Sequence, residues 1–220
     1  MKHLLSLALS ALAIAASAQT TIDYDPLVKY NAIDSVRHIV SVRYTGGTDA
    51  QVSMYVKNSD GGNASWDEVL SCTAFVGSNG VGKVKEGDRR TPLGDYGMIT
   101  AFGIKPNPGT KLPYVDVDDD TYCCADRVAY NKIINVKHVP HKCRGEHMIK
   151  YEPDYNYGFF FDYNKERIVG KGSALFFHCT GDKNSTAGCI AVPEEHMATI
   201  LKTIDLNARL IITDNSQDND

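Results

Sequence analysis

A chain of 220 residues with 43% hydrophobic and 23% charged side chains has the composition of a globular protein that buries a core, which excludes a disordered or collagen-like polymer. Its length suits one domain. A formal net charge of −4 leaves no basic footprint, and this argues against a nucleic-acid partner.

The first 18 residues read as a secretory signal: Lys2 and His3 precede an apolar run over 4–16, and Ala16-Ser17-Ala18 supplies small residues before a cut at Gln19. The run is short for a bilayer span, so no membrane span is expected once the signal is removed. Residues 19–35 form a lead-in, and one catalytic-sized unit covers 36–213.

Alternation over 36–44 predicts a strand with Val36, Val40, Val42 and Tyr44 on one face. The break at Gly46-Gly47 and the alternating Val52, Met54 and Val56 make the next strand its hairpin partner. A Gly/Asn-rich turn over 58–63 leads to a third strand over 69–76. Residues 77–94 are a glycine- and charge-rich loop, and 96–102 return to strand. Residues 107–113 are a loop and 116–120 an acidic run, while 125–150 carry no clear pattern. The aromatic stretch 157–163 and the apolar run 173–178 read as strands. Pro193, Glu194 and Glu195 suit a helix start. Met197, Ile200, Leu201 and Ile204 then space an apolar stripe at helical period. A last strand covers 210–212, and the polar tail 214–220 is expected to be disordered. The fold class is therefore mainly β, with few helices.

Export makes the six cysteines, at 72, 123, 124, 143, 179 and 189, candidates for pairing. Cys123 and Cys124 are adjacent and Cys143 is a nearby partner for either; spacing alone does not choose. The chemistry concentrates in 177–192. His178 ends a buried strand, a small polar loop follows, and Cys189 opens a second apolar segment. An imidazole beside a thiol suits acyl transfer, because the ring takes the thiol proton or stabilises the thiolate. Gly188 allows close backbone approach, so the amides of Gly188 and Cys189 are candidate oxyanion donors.

These residues resemble the L,D-transpeptidases with a YkuD-type catalytic domain. Three blocks carry the resemblance. The first is His178 followed by Thr186-Ala187-Gly188-Cys189. The second is Gly80-Val81-Gly82-Lys83 with Glu86-Gly87-Asp88-Arg89-Arg90-Thr91-Pro92-Leu93-Gly94. The third is Tyr163-Asn164 with Gly170-Lys171-Gly172-Ser173-Ala174. The resemblance implies a YkuD-like β-sandwich with Cys189 as nucleophile and His178 as general base and acid. Thr186 and Gly188 would shape the nucleophile loop and oxyanion site. It also implies peptidoglycan stem peptides as substrate, no cofactor, and a place in the periplasm or at a bacterial cell surface. Arg89 or Arg90 on the cleft rim would meet a substrate carboxylate, with Tyr163 a further candidate contact. The chain departs from many members at Ala187, where they carry histidine. An L,D-carboxypeptidase cutting the same bond and a non-catalytic wall-binding module remain alternatives.

Competing signals are weaker. Residues 77–84 look like a phosphate loop, but Val84 stands where a hydroxyl must hold magnesium. The acidic run lacks the glycine and terminal glutamate of a calcium loop. His138, His141, Cys143 and His147 have the density of a zinc site without the glutamate of the helical protease motif, and no metal is expected. Cys179 alternates away from the catalytic face, toward a buried or bridged role. Tyr155, Tyr157 and Phe159–Phe161 read as core more readily than as groove.

Overall fold

The computed structural model describes residues 26–216 apart from 61, 62 and 140. The expected signal sequence and the end of the polar tail lie outside these residues. Among the described residues there are twelve strands and one α-helix: β1 (His38–Gly46), β2 (Asp49–Asp60), β3 (Asn63–Phe75), β4 (Gly94–Gly103), β5 (Tyr114–Asp116), β6 (Thr121–Cys124), β7 (Lys132–Asn135), β8 (Gly145–His147), β9 (Gly158–Phe161), β10 (Phe176–Cys179), β11 (Ile190–Val192), α1 (Glu194–Thr203) and β12 (Arg209–Asp214). The fold is mainly β, as the alternation predicts.

Nine strands form one sheet in the order β12-β1-β2-β3-β11-β10-β9-β4-β5. The first part of β4 also pairs with β12, Gly97 opposite Arg209 and Gly94 opposite Ile212, so the sheet closes on itself into a barrel-like sandwich. Gly46 and Gly47, both at positive φ, turn β1 into β2, the hairpin expected from the sequence. The hairpin of β2 and β3 is longer than the alternation indicated. Its ladder continues through Asn58 opposite Ser65 to Asp60 opposite Asn63, across residues whose polarity suggested a turn.

One expected face is corrected. Val40 and Val42 enter the main core and Tyr44 packs against it, but Val36 joins a second cluster with Tyr30, Ile39 and Ile211. The strand begins only at His38, and Val36 belongs to the preceding turn, where its amide donates to Ile33 O. Strand alternation therefore does not reach it. Lys57, fully buried, closes that second cluster by donating to the carbonyls of Tyr30 and Ile33.

The unpatterned stretch 125–150 contributes to a separate three-stranded sheet, β7-β6-β8. Its strands are short, and a Cys124–Cys143 disulfide spans 19 residues across it. Cys72, Cys123, Cys179 and Cys189 are free and buried. Beneath the main sheet, Met197, Ile200, Leu201 and Ile204 are fully buried against the core, so α1 uses the stripe read from its spacing. Among the described residues no helix is long and apolar enough to cross a membrane.

Candidate active site

Strand β10 is buried on both faces and sits between β9 and β11, with His178 opposite Gly158 and Ala191. Glycine at 158 is required there: a Cβ would stand 2.5 Å from the Phe102 ring and 2.9 Å from Phe177 O. The parallel pairing of β10 with β11 brings the end of the polar loop back beside His178, and Cys189 directly precedes β11.

His178 and Cys189 line one cavity of about 330 Å³, together with Arg89, Glu146, Tyr155 and Thr186. The sulfur of Cys189 is unbridged. Its thiol donates to Ala174 O at 3.3 Å and accepts from Phe176 N at 3.3 Å. His178 Nδ1 lies 2.7 Å from Cys179 O. A carbonyl only accepts, so Nδ1 carries the proton and Nε2 is the nitrogen left to take one up. The ring also packs edge-on against Tyr155, centroids 5.4 Å apart.

Both groups rest uncharged. Burial pushes the Cys189 thiol up to about 12; the charge of Glu146 adds to this, and the Phe176 amide opposes it. Burial also lowers His178, against the Cys179 carbonyl and the charge of the Asp154 carboxylate. Desolvation disfavours thiolate and imidazolium alike, so both groups favour the neutral form.

The loop before Cys189 is held by its own hydrogen bonds. Thr186 Oγ1 donates to Cys189 O at 2.7 Å and accepts from Gly188 N at 3.0 Å. The Gly188 amide therefore closes the loop's own turn in this structure. Gly188 is still obligatory, with φ of 137° and Arg90 O only 2.9 Å from where a Cβ would be. The upstream block supports the loop from below. The fully buried Thr91 hydroxyl accepts from Gly77 N and donates toward Gly188 O at 2.9 Å and Cys189 O at 3.1 Å. Asp88 accepts from Lys83 Nζ and from the amides of Val84, Lys85 and Arg90. Burial works against the Asp88 charge, but these donors outweigh it and hold the carboxyl well below the usual range.

Removing the Thr91 hydroxyl leaves buried backbone groups unpaired. Thr91→Val is expected to cost about 2–4 kcal/mol and to lower the melting temperature by roughly 5–10 °C. An unchanged melting curve by differential scanning calorimetry would show that this hydroxyl does not hold the loop.

The candidate substrate contacts separate. Arg89 lines the cavity. Arg90 does not: its guanidinium donates to Val81 O at 3.0 Å. Tyr163 donates to Lys171 O at 2.9 Å and is buried in the core. Strand alternation does turn Cys179 to the opposite face of β10, where its thiol donates to Tyr157 O. Tyr155 is both core and groove, being 3% exposed yet lining the cavity. Glu146, on β8, carried no sequence signal. Its segment lacks periodicity, and only the folding of the small sheet brings it to the cavity, where Tyr155 Oη donates to it at 2.5 Å.

The dense imidazoles do not assemble a zinc site as the spacing would have it. Cys143 is in the disulfide, His141 faces the Asp126 carboxylate at 2.9 Å, and His147 stacks on Tyr122. Cys124, Asp126 and His141 approach within 4.8 Å, but the sulfur among them is bridged rather than a free thiolate.

The family model of the L,D-transpeptidase catalytic domain matches residues 48–212, from β1–β2 through β12. The chain belongs to this family. No curated protein matches it. In this L,D-transpeptidase-type domain the three blocks quoted from the sequence interlock. Glu86 of the second accepts from Tyr130 and from Ser173 of the third, and Thr91 of the second donates to Gly188 O of the first.

Proposed function

We propose that the protein is an exported cysteine acyltransferase that acts on peptidoglycan stem peptides, releasing a terminal D-alanine and forming a crosslink. One observation supports this above the rest. An unbridged thiol and an imidazole with its Nδ1 proton fixed open onto the same cavity, which also carries both cationic and acidic side chains.

The Cys189 sulfur attacks the carbonyl between the third residue and D-alanine as its proton passes to His178 Nε2. The tetrahedral oxyanion collapses, the C–N bond breaks, and Nε2 returns the proton to the departing amine. An acyl-thioester remains on Cys189. His178 then takes a proton from an incoming amine, and the crosslink forms as the thiolate leaves. Water in place of the amine gives an L,D-carboxypeptidase. Arg89, which lines the cavity, would pair with the substrate carboxylate.

Incubation with tetrapeptide muropeptides, read by mass spectrometry, tests this. D-Alanine loss with dimers is the expected result. Loss without dimers means hydrolysis instead. Intact substrate under reducing conditions, with no carbapenem adduct on the thiol, would leave the wall-binding alternative.

A further inference from the structure

Away from the catalytic cavity, three segments meet on one face. Glu86 N donates to Gly170 O at 2.8 Å, Gly170 N donates to Tyr130 Oη at 3.2 Å, and Tyr130 Oη donates back to the Glu86 carboxylate. These bonds bring residues 84–86, 127–132 and 165–171 together. Four aliphatic side chains on them stand in solvent: Val84 at 75% exposure, Val128 at 76%, Ile168 at 54% and Val169 at 52%. Apolar side chains exposed together on adjoining segments mark an interaction site more readily than singly scattered ones do.

The charges around these side chains are one-sided. Lys85, Arg127, Lys132, Lys165, Arg167 and Lys171 form no ion pair among the described residues. The same segments carry two acids, Glu86 and Glu166, and six cations against two carboxylates leave them net positive. The whole chain carries −4, so this concentration of cations runs against its overall charge. Lys132, Lys165 and Arg167 also rim a cavity of about 280 Å³ whose floor includes Ile99, Ile133 and Phe160. The loop that presents Arg167, Ile168 and Val169 is braced from inside, because the Asn164 side chain bonds Ile168 N, Ile168 O and Gly172 O.

We propose that this face docks the protein on an anionic lipid bilayer surface, with the aliphatic side chains entering the interface and the cations on the headgroup phosphates. Charge complementarity selects an anionic partner. The aliphatic side chains select lipid over a hydrophilic polyanion, which would make no use of them. The face lies close to the chemistry: Asn131, which lines the 280 Å³ cavity, accepts from Ala174 N, and Ala174 O accepts from the Cys189 thiol.

Co-sedimentation of the full chain with vesicles of phosphatidylcholine alone, or mixed equally with phosphatidylglycerol, tests the proposal. The N-terminal apolar run is common to wild type and variants, so only differences are read. Binding is expected to need phosphatidylglycerol and to weaken with salt. The triple change Lys132→Gln, Lys165→Gln, Arg167→Gln is expected to weaken it about 100-fold, roughly fivefold per charge. The change Val84→Ser, Ile168→Ser, Val169→Ser is expected to weaken it at least about tenfold with charge unaltered. Both variants should keep the wild-type melting curve and the reactivity of Cys189. No preference for phosphatidylglycerol, or wild-type binding by both variants, would overturn the proposal. So would binding to soluble polyphosphate that the aliphatic changes leave intact while vesicle binding is absent, which would identify a polymer site.

Discussion

Cys189→Ala is expected to abolish muropeptide turnover, by on the order of 10³-fold or more, while the melting curve stays close to wild type. The sulfur is the nucleophile in the proposed reaction, and no other free thiol lines the cavity. Cys179→Ala is the matched control. That thiol lies one residue from His178 but on the far face of β10, bonded to Tyr157 O. Its loss is expected to leave turnover within a few fold and to destabilise the core by about 1 kcal/mol. Mass spectrometry of the products and calorimetry of both variants separate the two cases. Turnover retained by Cys189→Ala and lost by Cys179→Ala would transfer the chemistry to the other sulfur.

Glu146→Gln is expected to make Cys189 more reactive in the absence of substrate. The wild-type thiol is pushed up to about 12, first by burial and then by the carboxylate of Glu146. Glu146 is itself raised by burial, against the Tyr155 hydrogen bond, and it still bears on the thiol as a negative charge once ionised. A neutral amide removes that repulsion, so the thiol's pKa falls and more thiolate is present at any pH below it. Iodoacetamide labelling of Cys189 at pH 8, followed by peptide mass mapping, should be about tenfold faster. The pH at which labelling reaches half its maximum should move down. Mapping distinguishes Cys189 from Cys72 and Cys179, whose burial raises them as well. Unchanged or slower labelling would mean that the carboxyl does not act on the sulfur. This measurement needs no substrate, so its outcome is independent of the proposed wall chemistry.

Much of the frame was legible in the chain. The alternation of Val52, Met54 and Val56 is a local property of a strand with one face inward, and the structure places Val52 and Met54 in the main core. The stripe from Met197 to Ile204 likewise follows from helical period against one buried surface. Other features left no local trace. The strands of the small sheet are three or four residues long, too short to show a period, and a disulfide joins two of its segments. Thr91 reads as part of a turn, yet its hydroxyl reaches 97 residues along the chain to Gly188 O. Arg89 and Arg90 are neighbours with the same side chain, and only the fold sends one to the cavity and the other to Val81 O.

By itself the sequence determined the kinds of group available and their local order: an imidazole ending a buried strand, and a threonine-glycine-cysteine turn after it. Those depend on residue identity and short spacing, which a linear chain carries. The tertiary structure alone decided that Cys124 pairs with Cys143, that Glu146 comes to the thiol, and that thiol and imidazole both rest neutral. Each of these follows from how distant segments exclude water from one another, and desolvation is set by packing rather than by neighbours in the chain.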